Sequence, residues 1–255
     1  QLNNGYSFSI NGSDQFHPRS LFKVAEAVYI LREFGTKADF DYPDIRFNEY
    51  HFKQDSMAGF RSALEIGKQY SIKTLVEVML VHSDNEARQL ILERTSKQRL
   101  WKYVFSDLGI NIRTGSGKTD LITAKDYSTL LRVLYNASYL NREQSSYLLE
   151  LLTRSSFKNG IRSAISDNHV PIASKFGYKN GPNYSQLHES SIVYLANQPF
   201  LLTVMTEGQD TEQLAQILRQ ISEITYRKNL NVITNTEEDN IYKRMKNSSD
   251  PYISP

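Results

Sequence analysis

Apolar and polar residues follow two different periods along the chain. Near the amino end, residues 6–10 alternate one by one and precede Asn11-Gly12, which predicts a short strand and a turn. From residue 20 the apolar positions recur at helical spacing, at Leu21, Val24, Val28 and Leu31. The positions between them are also largely apolar, so this helix is expected to be buried and to end near Gly35.

The middle of the chain, from about residue 40 to 160, is predicted to be mostly helical. Residues 72–81, 86–95 and 144–152 carry apolar positions at helical spacing. Thr123 followed by Asp126 resembles a capping box at the start of a further helix. This helical stretch separates the amino-terminal strand from the strands that follow.

Beyond residue 170 the pattern again predicts strands. Residues 171–176, 191–195 and 200–205 are typical of strands, the last two flank the turn at 197–199, and a final helix begins near Asp210. Hairpin-linked strands pair antiparallel, so the fold class is α+β, with helices packed on an antiparallel sheet.

The same pattern predicts how the chain is divided. Residues 1–19 and 160–228 should form a discontinuous sheet-containing subdomain, and residues 20–159 an inserted all-helical subdomain. Residues 229–255 are polar and are predicted to be a flexible tail.

Composition narrows the classes of protein that fit. The 255 residues carry 30 Lys+Arg and 28 Asp+Glu, a balance that argues against coating nucleic acid or an anionic membrane. The absence of Cys excludes disulfide scaffolds, thiolate metal sites and a cysteine nucleophile. No apolar run is long enough for a transmembrane helix, and the five histidines lack metal-ligand spacing, so neither metal nor cofactor is predicted. The first residues lack the features of a signal peptide and are expected to be a mature or trimmed start.

The string Gly115-Ser116-Gly117-Lys118-Thr119 resembles half of a phosphate-binding loop. Such a loop needs a first glycine where this chain has Ile112, and its lysine must sit at a helix start. The next helix is predicted to begin only at Thr123, so a flexible loop is the favoured interpretation.

A Ser-x-x-Lys pattern, Ser20-Leu21-Phe22-Lys23, opens the buried helix. Residues 155–158 repeat the pattern, so alone it is weak. At the helix start, however, Ser20 and Lys23 would project from one face, and burial would lower the pKa of Lys23 so that it could activate the serine hydroxyl. The alternative is a lysine that extends from a partly buried helix into solvent.

Two further strings complete a set. Ser83-Asp84-Asn85 lies between two predicted helices and could equally be a helix cap, and Lys175-Phe176-Gly177 lies on a predicted strand and could be an edge-strand lysine. Together the three strings resemble the Ser-x-x-Lys, Ser-Asp-Asn and Lys-Thr-Gly motifs of the penicillin-recognising serine hydrolases, which include class A β-lactamases and D-Ala-D-Ala peptidases. The resemblance spans about residues 6–228 and implies a β-lactamase/transpeptidase-like fold with a five-stranded antiparallel sheet.

The resemblance also implies roles for individual residues. The catalytic set would be Ser20 as nucleophile, Lys23 as its base, Ser83 as proton relay and Lys175 as a positive charge. Substrate contacts would come from Asn85, Phe176, Gly177 and Tyr178, with the backbone N–H groups of Ser20 and Tyr178 as the oxyanion hole. The implied partner is a β-lactam or cell-wall peptide rather than nucleic acid, and the implied location is the bacterial periplasm or cell surface.

The chain departs from that family at two places. Between Arg94 and Glu143 the sequence contains no glutamate to activate the deacylating water, and Asp120 fits the closing aspartate of that loop better than the missing base. Phe176 replaces the hydroxyl of the third motif, and the next strand reads His188-Glu189-Ser190-Ser191 without an arginine. Three hypotheses follow: an acyl-transfer enzyme that deacylates slowly, a serine hydrolase for a different ester or amide, and a catalytically silent binding protein.

Overall fold

A computed structural model of the chain describes residues 1–49, 62–114, 120–181 and 183–247; the glycine-rich string at 115–119 lies outside them. The helices are α1 Phe22–Phe34, α2 Ile72–Val81, α3 Asn85–Glu93, α4 Lys97–Leu100, α5 Ala124–Tyr135, α6 Arg142–Thr153 and α7 Thr211–Asn247. The strands are β1 Gln15–Phe16, β2 Ile45–Arg46, β3 Gln69–Tyr70, β4 Arg113–Thr114, β5 Asp120–Thr123, β6 Ile172–Lys179, β7 Ser185–Val193 and β8 Phe200–Gly208. A 3₁₀ turn at Arg19–Leu21 leads into α1, and a π-helical segment at Trp101–Ser106 follows α4.

The largest sheet is antiparallel, in the order β6-β7-β8, and the α+β class is confirmed. The expected five-stranded sheet is wrong for the described residues, in which this sheet has three strands. Residues 6–10 do not form a strand, and Phe8 and Ile10 are 68% and 82% exposed. Their alternation of apolar and polar residues does not produce a strand, because a strand is stable only when a neighbouring strand pairs with its backbone and other residues cover its apolar face.

Two apolar cores stabilise the fold. The larger one joins the helices α1, α2, α3, α5 and α6 and reaches the sheet through Ala173 and Ile192. The second lies between the sheet and α7, with Leu187, Leu214 and Leu218 among its members. As predicted, α1 is buried through most of its length and ends before Gly35.

Several helices and strands begin or end where local features of the sequence predicted. Thr123 caps α5, because its hydroxyl oxygen accepts a hydrogen bond from the Asp126 N–H at 3.0 Å. The turn at 197–199 connects β7 to β8, and α7 begins directly after Asp210. The helix cap at Thr123, the hairpin and the start of the last helix are therefore confirmed.

Two boundaries differ from the sequence expectation. The strand β7 covers Ser185–Val193 rather than 191–195, and every one of its residues is buried although most are polar. The helix α7 continues to Asn247, so residues 229–247 extend the final helix. No glycine or proline interrupts the chain from Thr211 to Asn247, which permits one continuous helix.

In the described part of the chain, no helix combines the length and apolarity that crossing a bilayer requires.

Candidate active site

The turn before α1 places Ser20 against the main sheet. We call residues 17–21 the Ser20 turn. Gly177 on β6 faces this turn so closely that a Cβ atom at Gly177 would lie 2.8 Å from the Pro18 carbonyl oxygen and 3.1 Å from Arg19 Cβ. Only a glycine permits this approach without displacing backbone. The glycine of the third motif therefore brings Ser20 to the edge of β6.

Lys23 lies on the first turn of α1, one helical turn after Ser20, and is 1% exposed. Its Nζ donates hydrogen bonds to the Ser83 carbonyl oxygen and to Asn85 Oδ1, the latter at 2.8 Å. Burial, and then the charge of Arg88, lower the pKa of Lys23 to about 7, against the opposing effect of Glu26. A lysine with this pKa is substantially neutral at physiological pH and can accept a proton.

The Ser83-Asp84-Asn85 string connects α2 to α3. Asp84 caps α3, because one carboxylate oxygen accepts from the Ala87 N–H at 2.8 Å. Its other oxygen accepts from the Ser62 hydroxyl at 2.8 Å. With Asp84 held in this way, Ser83 and Asn85 on either side of it both reach Lys23. Ser83 adopts a positive φ of 57°, a conformation that is costly outside glycine and that tertiary contacts must hold in place.

Lys175 reaches the same place from the sheet. It is fully buried on β6, and its Nζ donates to Ser83 Oγ at 2.7 Å and to the Phe176 carbonyl oxygen at 3.1 Å. Burial and the nearby Lys23 charge hold the pKa of Lys175 well below its usual range, although Glu189 opposes them. Ser83 Oγ therefore lies between two lysine nitrogens, with Lys23 Nζ at 3.4 Å.

The structure thus joins four of the predicted residues by hydrogen bonds, and we call them the lysine–serine array: Lys23, Ser83, Asn85 and Lys175. Ser20 stands one helical turn before this array. The other Ser-x-x-Lys pattern lies in irregular chain after α6, and the buried Ser155 Oγ has no hydrogen-bond partner among the described residues. Only the first pattern has a helix to align its serine and lysine.

The predicted substrate residues on β6 divide between two faces. Phe176 is 7% exposed, and its ring stacks on Phe157 with centroids 4.5 Å apart. The Phe176 carbonyl oxygen accepts from Lys175, and Lys175 Nζ lies over the Phe176 ring, 4.5 Å from its centroid. Both the backbone and the ring of Phe176 therefore contact the Lys175 ammonium group. Tyr178 continues β6 and packs against the second core.

Sequence reasoning missed a buried carboxyl group behind the site. Glu189 pairs with Phe176 across β6 and β7 and is fully buried. It accepts hydrogen bonds from the Ser174 hydroxyl at 2.6 Å and the Ile161 N–H at 2.7 Å. Burial raises its pKa to about 7, although these hydrogen bonds and Lys175 act in the opposite direction. Its signal in the sequence was weak, because Glu189 lies in a polar run and the sequence alone does not show that this run is buried.

No group of three or more His, Asp or Glu side chains placed to hold a metal ion occurs within the described ranges.

Comparison with known proteins identifies the family and the fold of the chain. The sequence model of the β-lactamase enzyme family matches residues 1–228. A β-lactamase from Chitinophaga pinensis shares 17% identity over 89% of this chain and 90% of its own, with a TM-score of 0.78. A class A β-lactamase from Bacteroides cellulosilyticus shares 18% identity over 88% and 87%, with a TM-score of 0.76. A PBP-A mutant, solved as an acyl-enzyme complex with penicillin G, shares 19% identity over 89% and 86%, with a TM-score of 0.73.

Proposed function

The chain belongs to the β-lactamase enzyme family, as its motifs predicted, and from this premise we propose that it forms an acyl-enzyme on Ser20. The family and its structural neighbours make it a serine hydrolase of the β-lactamase type. The substrates we propose are β-lactams or peptides of the D-Ala-D-Ala type. The observation that carries the proposal is the lysine–serine array next to Ser20.

The array provides a route for the proton that leaves Ser20. Lys23 has a pKa near 7 and can take the hydroxyl proton as the serine oxygen attacks the carbonyl carbon. Ser83 lies within reach of both lysine nitrogens, so it can pass a proton to the leaving nitrogen. Asn85 holds the Lys23 nitrogen toward this route and can bind a substrate amide with its free N–H groups.

Backbone groups complete the acylation site. The Ser20 N–H belongs to the turn that opens α1, where unpaired N–H groups and the helix dipole favour negative charge. Tyr178 follows Gly177, the residue that β6 presents to the Ser20 turn. We assign the N–H groups of Ser20 and Tyr178 to the oxyanion of the tetrahedral intermediate.

We propose that the acyl-enzyme is hydrolysed slowly. The sequence has no glutamate between Arg94 and Glu143 that could activate a water molecule. Asp120 begins β5, which pairs with the strand leading to the Ser20 turn, and its charge acts on His17. This placement fits an aspartate that closes a loop onto β5. The PBP-A mutant, which has a similar fold, was solved as an acyl-enzyme complex with penicillin G. We expect the corresponding acyl-enzyme to persist in this protein.

A second candidate function is hydrolysis of an ester or amide that lacks a free carboxylate. It is favoured by Phe176, whose buried ring stacks on Phe157 and offers no hydroxyl to a substrate carboxylate. Glu189, whose carboxyl group is buried, lies opposite Phe176 on the strand where the family places an arginine. Under either function we propose that the protein acts in the bacterial periplasm or at the cell surface.

Labelling with a fluorescent penicillin tests the proposal. We expect one stable label that is lost in Ser20→Ala and retained in the matched control Ser155→Ala, which removes the serine of the other Ser-x-x-Lys pattern. A chromogenic cephalosporin separates the steps, because rapid steady-state turnover contradicts slow deacylation. Reaction with a simple ester but not with penicillin supports the second function. If Ser20 reacts with neither, the catalytic proposal is wrong.

A further inference from the structure

The strand β7 holds the Ser20 turn although it contributes no residue to the lysine–serine array. His188 on β7 is directly opposite Gly177 on β6, so both occupy the sheet face that meets the turn. His188 Nε2 lies 3.1 Å from the His17 carbonyl oxygen. Two residues away on the same face, Gln186 Oε1 accepts from Arg19 Nε at 2.8 Å. The glycine leaves space for the turn, and the two β7 side chains bind it there.

The hydrogen bonds of His188 fix its tautomer. The Thr206 N–H donates to His188 Nδ1 at 3.1 Å, so Nδ1 must be the unprotonated nitrogen. Nε2 then carries the proton and donates it to the His17 carbonyl. Burial lowers the pKa of His188 to about 4, and the charge of Arg19 acts in the same direction, so the ring stays neutral at physiological pH. The Phe16 ring meets the imidazole edge-on at 5.4 Å and fixes its plane.

The turn needs such support because its backbone is strained. Arg19 has a φ of 52°, a left-handed conformation that costs a non-glycine residue about 1–2 kcal/mol. The Arg19 N–H donates to His17 Nδ1 at 3.1 Å, so the conformation of His17 and that of Arg19 depend on each other. At the other end of the turn, the Leu21 carbonyl accepts from the buried Tyr127 hydroxyl at 3.0 Å. Ser20 therefore lies between two anchored carbonyl groups.

We propose that His188 is a positioning residue for Ser20, which holds the Ser20 turn by donating a hydrogen bond from Nε2 to the His17 carbonyl. This inference rests on the proposed acylation of Ser20. Reaction geometry is sensitive to displacement, since a shift of about 1 Å in a reacting group can cost about 100-fold in rate. His188 acts through the backbone of the turn and touches neither the substrate nor the reacting atoms.

Two substitutions separate the two hydrogen bonds of His188. In His188→Asn the short amide keeps an acceptor near the Nδ1 position for the Thr206 N–H but loses the donor to His17. In His188→Gln the longer amide keeps a donor near the Nε2 position. We expect acylation by the fluorescent penicillin to fall about 10- to 100-fold in His188→Asn and to recover most of its rate in His188→Gln, with the exposed His169→Asn as control.

Thermal unfolding of the same proteins distinguishes positioning from general support of the fold. A merely structural role predicts that acylation follows the melting temperature in both variants. The proposal predicts instead that the acylation rate depends on whether residue 188 still donates a hydrogen bond to the His17 carbonyl oxygen, whatever the melting temperature. Equal losses of acylation in His188→Asn and His188→Gln, or no loss in either, would overturn it.

Hydrogen exchange at the Ser20 turn gives a readout that needs no substrate. If the unaltered protein is not acylated, the proposed function has failed, and exchange of the amides at residues 19–21 then decides the positioning role. Faster exchange in His188→Asn than in His188→Gln supports it. Identical exchange in the two variants contradicts it.

Discussion

The role of Lys23 as a base can be tested through protein stability, without any substrate. Lys23 is 1% exposed, and its pKa falls from 10.5 to about 7 on folding, mainly because burial penalises the charged ammonium group. Between these two values the unfolded chain holds a proton at Lys23 that the folded protein has released. The free energy of unfolding should therefore rise with pH across this window, and this group should add no pH dependence below about 7.

The size of the effect follows from the two pKa values. A difference of one bound proton changes the free energy of unfolding by about 1.4 kcal/mol per pH unit. Across the whole interval, keeping Lys23 charged in its buried position costs about 5 kcal/mol. Between about pH 7.5 and 9.5, the part of the window that is easiest to measure, the gain should be about 3 kcal/mol.

Urea unfolding followed by circular dichroism measures this gain when Lys23→Met is compared with the unaltered protein. Lys175 and the exposed lysines remain in both, so to first order the difference between the two pH curves isolates Lys23. Lys73→Met, which removes a half-exposed lysine paired with Asp41, is the matched control and should run parallel to the unaltered protein. If Lys23→Met also runs parallel, Lys23 keeps its proton at neutral pH and the reasoning that makes it a base is refuted.

Two further substitutions test contacts around the site. Gly177→Ala should destabilise the fold by about 1–3 kcal/mol and slow acylation, because the new Cβ would meet the Pro18 carbonyl oxygen at 2.8 Å. Gly208→Ala is the control, because its Cβ would meet only a leucine side chain, and it should neither destabilise the fold nor slow acylation. Thermal melts and penicillin labelling of both variants measure the two effects. Arg88→Leu should cost about 1–3 kcal/mol in urea unfolding, because it leaves the buried Glu26 carboxylate without its partner while solvent screens the partly exposed arginine side; the double variant with Glu26→Leu should recover most of that loss. The single variant Arg88→Leu should also shift the pH at which the acylation rate rises to a higher value. The reason is that the charge of Arg88 helps lower the pKa of Lys23. A double variant no more stable than Arg88→Leu contradicts this account of the pair.

The parts of the fold that sequence predicted well are those with a local cause. The helix α1 is apolar on most sides, and burial follows from that composition alone. The cap at Thr123 depends on a side chain and an N–H three residues apart, so it can be read from spacing. The candidate site residues were selected through motif order, and the structure joins three of the four predicted catalytic residues, Lys23, Ser83 and Lys175, by hydrogen bonds, together with the predicted substrate residue Asn85.

The strand β7 could not be predicted in full because its polar residues find partners far away in sequence. His188 bonds to the carbonyl of His17, and Gln186 bonds to Arg19. Polar residues favour loops in a sequence reading unless their partners are known, and those partners are fixed only by the tertiary fold. The same limit hid Glu189, whose partners include the Ile161 N–H.

Residues 6–10 illustrate the opposite error. Their alternation satisfies the strand pattern, yet the structure leaves Phe8 and Ile10 exposed. Periodicity reports which side chains share a face, but it does not show that a neighbouring strand or a core exists to cover that face.

The central claim is that Ser20 is acylated and that water releases the acyl group slowly. Intact-mass spectrometry of the protein mixed with benzylpenicillin, sampled over time and followed by peptide mapping, tests it most directly. The account predicts one penicilloyl group on the peptide that contains Ser20, which forms quickly and remains while free penicillin is still present. Unmodified protein in a solution of hydrolysed penicillin would contradict slow deacylation, and an adduct on any other residue would contradict the assignment of Ser20.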